Sequence, residues 1–248
     1  MSDQSAAVET LRDMIRKSRN IVFFGGAGMS TASGIPDFRG AHGLYQAAEG
    51  KSYEEMLSIR FFLNQPDVFW SFYRNVMLHP EAKPNAGHEA LVRLERQGKL
   101  KAVITQNIDG LHQAAGSQRV LELHGTVQRN HCMSCGHVYT LPEVLAADGT
   151  PHCDCGGTVR PDIVFYGEPL NNSVMDAAIR ALEACDLLIV GGTSLTVYPA
   201  AGLLGFRNQA ALILINREET PYDQRANLIV RDDLALALDA AIPRSTSP

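Results

Sequence analysis

The sequence predicts an α/β protein built on a doubly wound parallel sheet, with inserted segments that do not belong to that sheet. Three observations predict it. Short apolar runs recur without polar alternation, as strands buried on both faces require. Helical stripes separate those runs, which makes successive strands parallel. The stretches that leave the runs are rich in glycine and polar residues, the pattern of an open sheet that takes a ligand at the carboxyl ends of its strands.

The chain begins with an amphipathic segment whose stripe is Val8, Leu11, Met14 and Ile15. A first strand over residues 20–24 (NIVFF) runs into GGAGMSTASGIPDFRG, with four glycines from Gly25 to Gly34. Bare backbone after a strand should lead into a helix whose amino terminus receives a phosphate group. The dinucleotide fingerprint G-x-G-x-x-G fails here, because Thr31 stands where the third glycine belongs. The acid expected about 20 residues later, at the end of a second strand, is also missing. By glycine spacing alone, a turn without a ligand is an equal reading.

Residues 40–80 are aromatic-rich and helical in pattern, and interrupt the strand–helix alternation. Leu91 and Leu94 anchor the next helix, and a strand over 102–105 (AVIT) runs into TQNIDGLH. Gln106, Asn107 and Asp109 then sit where a ligand would lie. Turn and cap chemistry accounts for Asp109 and Gly110, but less well for Gln106 and Asn107 together. A strand over 120–123 (VLEL) delivers His124 at its carboxyl end, a general-base candidate with an ordinary pKa near 6.5. A second interruption covers 129–158. A helix with Val174, Ala178 and Leu182 follows, then strands over 186–190 (DLLIV) and 211–215 (ALILI). They exit into GGTSLTVYPA and into Asn216, a candidate for the ribose contacts the missing acid would have made. The last residues, RSTSP, should fray.

The most specific chemical signal is the pair CMSC (Cys132, Cys135) and CDC (Cys153, Cys155), with 17 residues between them. Four thiolates can close a tetrahedral shell around one structural Zn²⁺. Gly136 and Gly156 permit the tight turns, and His152 beside Cys153 leaves open which four groups bind. The fifth cysteine, Cys185, reads as a small buried hydrophobe. An odd number of cysteines without a secretory leader argues against a disulfide framework.

Composition narrows the class. The chain is 45% apolar and 20% charged, ordinary for a globular protein with a full core. A net charge of −5 argues against direct nucleic-acid binding. Neither a signal-type apolar region nor a run of about 20 apolar residues is present, so no membrane association and a cytoplasmic, monomeric protein are expected.

Taken in order and at their separations, GAGMSTASGIPDFRG, TQNIDGLH, LHG, the two cysteine pairs, RPDIVFYGE, GTSLTVYP and IN closely resemble the sirtuins, NAD-dependent protein-lysine deacylases. The resemblance runs from about Asn20 to Asp233. It implies a discontinuous Rossmann-like NAD-binding domain of residues 1–39, 81–128 and 159–248. It also implies a small domain made of the 40–80 helical insert and the 129–158 zinc-ribbon insert. By position, Ala27, Thr31, Phe38 and Arg39 would contact NAD. Gln106, Asn107, Ile108 and Asp109 would shape the ribose and nicotinamide pockets, and Thr193, Ser194, Asn216 and Asp232 would hold the adenosine side. His124, with Asn107, would carry catalysis. Val164, Phe165 and Gly167 on one side and Leu195 and Val197 on the other would pair with the substrate peptide as strands.

The implied reaction consumes NAD. The acyl oxygen of an acyl-lysine would attack the ribose C1′ as nicotinamide leaves, His124 would deprotonate a ribose hydroxyl, and water would release lysine and O-acyl-ADP-ribose. Phe38 would screen the intermediate. Sirtuins that remove acidic acyl groups carry a Tyr and, three positions on, an Arg. Here Tyr73 is followed at that spacing by Val76, with Arg74 on another side of the helix, so acetyl is the expected group. The expected partners are acetylated-lysine proteins. The alternatives are a protein mono-ADP-ribosyltransferase using the same cleft, a zinc-stabilised NAD-sensing module without activity, and a hydride-transferring dehydrogenase.

Overall fold

The computed structural model describes residues 3–37 and 52–244. In chain order the elements begin with α1 (Asp3–Lys17) and β1 (Ile21–Gly25), followed by two 3₁₀ turns, Ala27–Met29 and Thr31–Ser33. The helical segment is α2 (Tyr53–Met56), α3 (Ile59–Asn64), α4 (Pro66–Phe72) and a π turn over Tyr73–Met77. Next come α5 (Ala86–Arg96), β2 (Leu100–Thr105), α6 (Leu111–Ala115) and β3 (Val120–Glu122). The cysteine-bearing part is β4 (Gly125–Cys132), β5 (Val138–Thr140), α7 (Leu141–Leu145) and β6 (Val159–Ile163). The chain continues through α8 (Asn172–Ala184), β7 (Leu187–Gly191), a 3₁₀ segment (Ala200–Phe206), β8 (Ala211–Ile215), β9 (Leu228–Val230) and α9 (Leu234–Ala241).

The strands form two sheets. The larger is parallel, in the order β3-β2-β1-β7-β8-β9, and the smaller is antiparallel, in the order β5-β4-β6. Successive side chains of a strand point to opposite faces. Phe23, Val103, Ile189 and Ile213 therefore meet Leu11 of α1, Leu91 of α5 and Leu238 of α9. Phe24, Ile104, Val190 and Leu214 meet Leu182 of α8 and Leu204 of the 3₁₀ segment. Each phenylalanine of β1 is fully buried, which contributes about 1.5–3 kcal/mol per side chain relative to exposure. Two covered faces are why the strands read as unbroken apolar runs.

A third core lies outside the large sheet. Phe62, Phe69, Trp70 and Tyr73 from the helical segment pack with Val127, Val159, Ile163 and Phe165 around the small sheet. Phe62 stacks on Phe165 with centroids 5.3 Å apart, and Phe69 stacks on Tyr73 at 5.2 Å. The small sheet takes in residues 125–132 and 159–163, beyond the 129–158 span of the cysteine-bearing insert, because β4 pairs with β6 from Gly125↔Ile163 to Cys132↔Val159. Its longest strand, β4 (GTVQRNHC), carries four consecutive polar residues, Gln128 to His131, and lacks the apolar run that marks a doubly covered strand. β9, only three residues long, lies at the edge of the large sheet and gave no periodic signal.

One expectation needs correcting. No α-helix follows β1 through residue 37; the glycine loop winds through two 3₁₀ turns instead. Its amides are turned onto the exit of β7: Gly26 N donates to Gly191 O at 3.2 Å and Gly28 N to Gly192 O at 2.8 Å. The contact is backbone against backbone. A Cβ on Gly28 would sit 2.6 Å from Gly192 Cα, and one on Gly192 would sit 2.6 Å from Met29 N. The glycines of the two loops thus make room for each other. Among the described residues, no helix is long and apolar enough to cross a membrane.

Because Gly28 meets main chain that cannot rotate away, Gly28→Ala is expected to destabilise the fold by about 1–3 kcal/mol, the usual range for overpacking. Urea unfolding reads it as a lowered midpoint; an unchanged midpoint would show that the two loops can part at no cost.

Candidate functional site

The strand order reverses between β1, whose chain continues outward to β2 and β3, and β7, which starts the other half. Open parallel sheets bind ligands at such a switch point, outside the carboxyl ends of the strands. A cavity of about 880 Å³ lies there. Its wall includes Ala27 and Thr31 after β1, Gln106, Asn107 and Ile108 after β2, and His124 after β3. Thr193, Ser194 and Val197 after β7, Asn216 after β8 and Asp232 after β9 complete the sheet side. Facing them are Val164, Phe165 and Gly167, which follow β6 of the small sheet. Residues from positions 27 to 232 thus line one space.

Two candidates stand elsewhere. Asp109 is not in the wall; it accepts hydrogen bonds from Ser30 Oγ at 2.6 Å and Leu111 N at 2.9 Å, so it stands behind the first layer. Leu195 is buried in the core beneath the sheet, which leaves only its main chain for a ligand. Phe38 and Arg39 lie outside the described residues.

His124 is held from both sheets. Its Nδ1 lies 2.9 Å from Gln106 O, and its own carbonyl accepts from Val164 N at 2.9 Å. A carbonyl cannot donate, so Nδ1 carries the hydrogen and Nε2 carries a lone pair. Burial lowers the imidazole pKa below its ordinary value, partly offset by the bond to Gln106. His124 is therefore a neutral imidazole with a free basic nitrogen at neutral pH.

The structure adds residues that had no signal of their own. Ser30, buried, bridges Asp109 to Asn107, whose Nδ2 donates to Ser30 Oγ at 3.1 Å. Gln106 Nε2 donates to Thr193 Oγ1 at 3.0 Å, joining the exits of β2 and β7. Asn85 caps α5 by accepting from Gly87 N at 2.9 Å, while its Nδ2 donates to Met29 O at 2.8 Å and Ser33 Oγ at 2.9 Å. Asn85 and His88 close a capping box at the start of α5, so the residue that starts the helix also anchors the glycine loop. Leu57 and Met77 add apolar wall from the helical segment.

A family model described as Sir2 family matches residues 26–199. The chain belongs to the Sir2 family. It is 51% identical to an NAD-dependent protein deacetylase of Cutibacterium acnes over 97% of this chain and 99% of that protein. It is 50% identical to an NAD-dependent protein deacetylase of Clostridium acetobutylicum over 95% of this chain and 98% of that protein. Among solved structures, a Sir2 in complex with a deacetylated p53 peptide and 3′-O-acetyl-ADP-ribose superposes with a TM-score of 0.85 at 39% identity, covering 93% of this chain and 95% of that one.

In this Sir2 chain the four cysteines of the small sheet converge. Cys132 and Cys155 Sγ are 3.5 Å apart, Cys135 and Cys153 Sγ are 3.6 Å apart, and all four lie within 4.8 Å of one another. Zn–S bonds of about 2.3 Å in a tetrahedron give edges of about 3.8 Å, so the thiolates fit one Zn²⁺. His152 is not part of the group. Four thiolates close the shell, and none of the cysteines lines the cavity, so the metal's role is structural.

Behind the cavity wall, the Sir2 fold buries two further histidines. The rings of His88 and His112 lie 4.8 Å apart, and His112 sits 6.1 Å from Phe23. Burial pushes both imidazoles below the ordinary 6.5; Asp109 partly opposes this for His88, and the neighbouring His88 adds to it for His112. The folded protein keeps both neutral while the unfolded chain takes up protons below pH 6.5, so stability falls as pH drops through that value and is level above it. His112→Leu is expected to flatten this acid limb by up to one proton, about 1.4 kcal/mol per pH unit. Urea midpoints from neutral pH down to about pH 5 read the slope; a slope equal to that of the parent chain would overturn the assignment.

Proposed function

We propose that the protein removes acetyl groups from lysine side chains of proteins, consuming NAD and releasing nicotinamide and O-acetyl-ADP-ribose. The observation that carries this reading is the position of His124, a neutral imidazole in the wall of a switch-point cavity, held between the two sheets. The deacetylases named among the relatives support the same reaction and disfavour the mono-ADP-ribosyltransferase reading.

The cavity divides the work among its walls. The loop after β1, with Ala27 and Thr31, is assigned to NAD, with Phe38 and Arg39 joining it by sequence position. Thr193, Ser194, Asn216 and Asp232 are assigned to the adenosine half, and Gln106, Asn107 and Ile108 to the ribose and nicotinamide half. Asp109 acts through Ser30, keeping the Asn107 amide turned into the cavity. Bound NAD supplies a ribose carbon with a good leaving group, to which the acyl oxygen adds. His124 Nε2 takes a proton from a ribose hydroxyl, and the bond from Nδ1 to Gln106 O stabilises the resulting imidazolium. The segments 164–167 and 195–197 offer main chain to an extended peptide, Leu195 through its backbone alone. In the same reading residues 1–39, 81–128 and 159–248 form the NAD-binding domain, and 40–80 with 129–158 the small domain, whose sheet borrows β6 and the start of β4.

Among the described residues, no Lys or Arg stands in the cavity wall near Ile108. Tyr73 is fully buried among aromatic rings. The guanidinium of Arg74 lies over Trp70 at 5.1 Å and donates to Val144 O at 3.1 Å, away from the cavity. The wall near Ile108 is made of Leu57, Met77, Ile163 and Phe165.

Two outcomes follow. His124→Ala should bind NAD within about twofold of the parent and lose deacetylation by at least about 100-fold, the scale of a missing general base. Calorimetry and product mass spectrometry measure the two; retained turnover would remove His124 from the reaction. Succinyl-lysine peptides should show kcat/KM at least about tenfold below acetyl-lysine peptides, because a carboxylate would be buried unpaired. A succinyl preference would place a cation at the acyl end that this reading lacks.

A further inference from the structure

Residues 163–168, from the end of β6 onward, line the cavity and are fastened by a side-chain clasp. Phe165 to Glu168 forms a tight turn: Glu168 N donates to Phe165 O at 3.0 Å, and Gly167, at the third position, has φ +93. That is the geometry of a type II turn, whose third residue needs positive φ. A turn of this kind is held by one main-chain bond and does not by itself fix a rigid edge.

Here it is held by more. The Glu168 carboxylate turns back and accepts from Phe165 N at 3.0 Å. Arg160 of β6 grips the same carboxylate with both terminal nitrogens, Nη1 to Oε1 at 2.7 Å and Nη2 to Oε2 at 2.8 Å. Nη2 also donates to Ile163 O at 3.1 Å, and the guanidinium lies over the Phe165 ring at 4.7 Å. The side chains are only 14% and 22% exposed, so this fork-to-fork pair escapes most of the screening that weakens surface ion pairs. The clasp ties the start of the segment, its first turn residue and its last into one rigid piece. Farther along, Tyr166 N donates to Leu57 O, and Ile59 N donates to Tyr166 O.

We propose that Arg160 and Glu168 are positioning residues that hold the 163–168 edge in the shape that receives the acylated peptide. The inference rests on the reading of the protein as a lysine deacetylase. The clasp acts on the peptide wall and not on the opposite wall, where the loops after β1, β2 and β7 are fastened by their own bonds. Its loss should therefore separate the two substrates.

The test uses the full chain with Glu168→Gln, which keeps shape but loses the charge, and Arg160→Lys, which keeps charge but loses the fork. For Glu168→Gln the KM for an acetyl-lysine peptide is expected to rise about tenfold, while kcat and the KM for NAD stay within about twofold. Arg160→Lys should fall between the two. Fluorescence anisotropy of a labelled acetyl-lysine peptide should show the same weakening without turnover. Unchanged peptide KM and affinity in both variants would overturn the proposal. So would an equal loss in NAD KM and melting temperature, which would mark the pair as general structural support. A parent chain that binds the peptide but does not deacetylate it would sink the deacetylase reading instead, and anisotropy would still decide the role of the clasp.

Discussion

The architecture turns on a contact between two stretches of bare backbone. The loops leaving β1 and β7 touch with Gly28 and Gly192 so close that neither tolerates a Cβ, and Gly28 N closes the contact by donating to Gly192 O. These are the two strands at which the sheet order reverses. Drawing their exits together fixes the floor of the cavity, and the side chains that follow, Thr31 on one loop and Thr193 with Ser194 on the other, face the same space. Wide, flexible exits would leave the switch point as an open groove; packed exits turn it into a shaped wall.

Onto that floor the small sheet is hung through His124. Its ring is tied to Gln106 at the exit of β2, while its carbonyl is tied to Val164 at the exit of β6. One residue therefore couples the orientation of its imidazole to the position of the opposite wall. The aromatic core around Phe62, Phe69 and Phe165 gives that wall a rigid back, and the four cysteines draw together the far end of β4 and the strand turn that precedes β6. A metal bound by these thiolates would add stability to the small sheet by cross-linking that end of β4 to the turn before β6.

The polar residues behind the cavity are satisfied in layers. Asp109 takes Ser30 and the start of α6, Ser30 takes Asn107, and Asn85 fastens the glycine loop while capping α5. Each of these links is a hydrogen bond of 3.1 Å or less, and linked bonds of this kind rigidify a site. His88 and His112 sit deeper, kept neutral by burial, and link the interior of this region to the protonation state of the chain.

Local chemistry determined much of this without the fold. The unbroken runs around Phe23, Ile104, Ile189 and Ile213 announced doubly covered parallel strands, because a strand buried on both faces has no polar face to show. The pairs Cys132 with Cys135 and Cys153 with Cys155 announced a four-thiolate cluster, because such spacing serves little else. Strand-exit placement singled out Gln106, Asn107, His124 and Asn216, which line the cavity, and Asp109, which does not. Tertiary structure alone decided what the glycines after β1 were for, since their partner, Gly192, lies more than 160 positions away. It alone turned Leu195 into the core and set Asp109 behind Ser30, and it alone revealed the strands of the small sheet and the short edge strand β9. A strand of three residues, or one like β4 whose polar run breaks the alternation, carries too little periodic signal to be read. A side chain's direction depends on distant chain that packs against it, and that packing exists only once the sheet has formed.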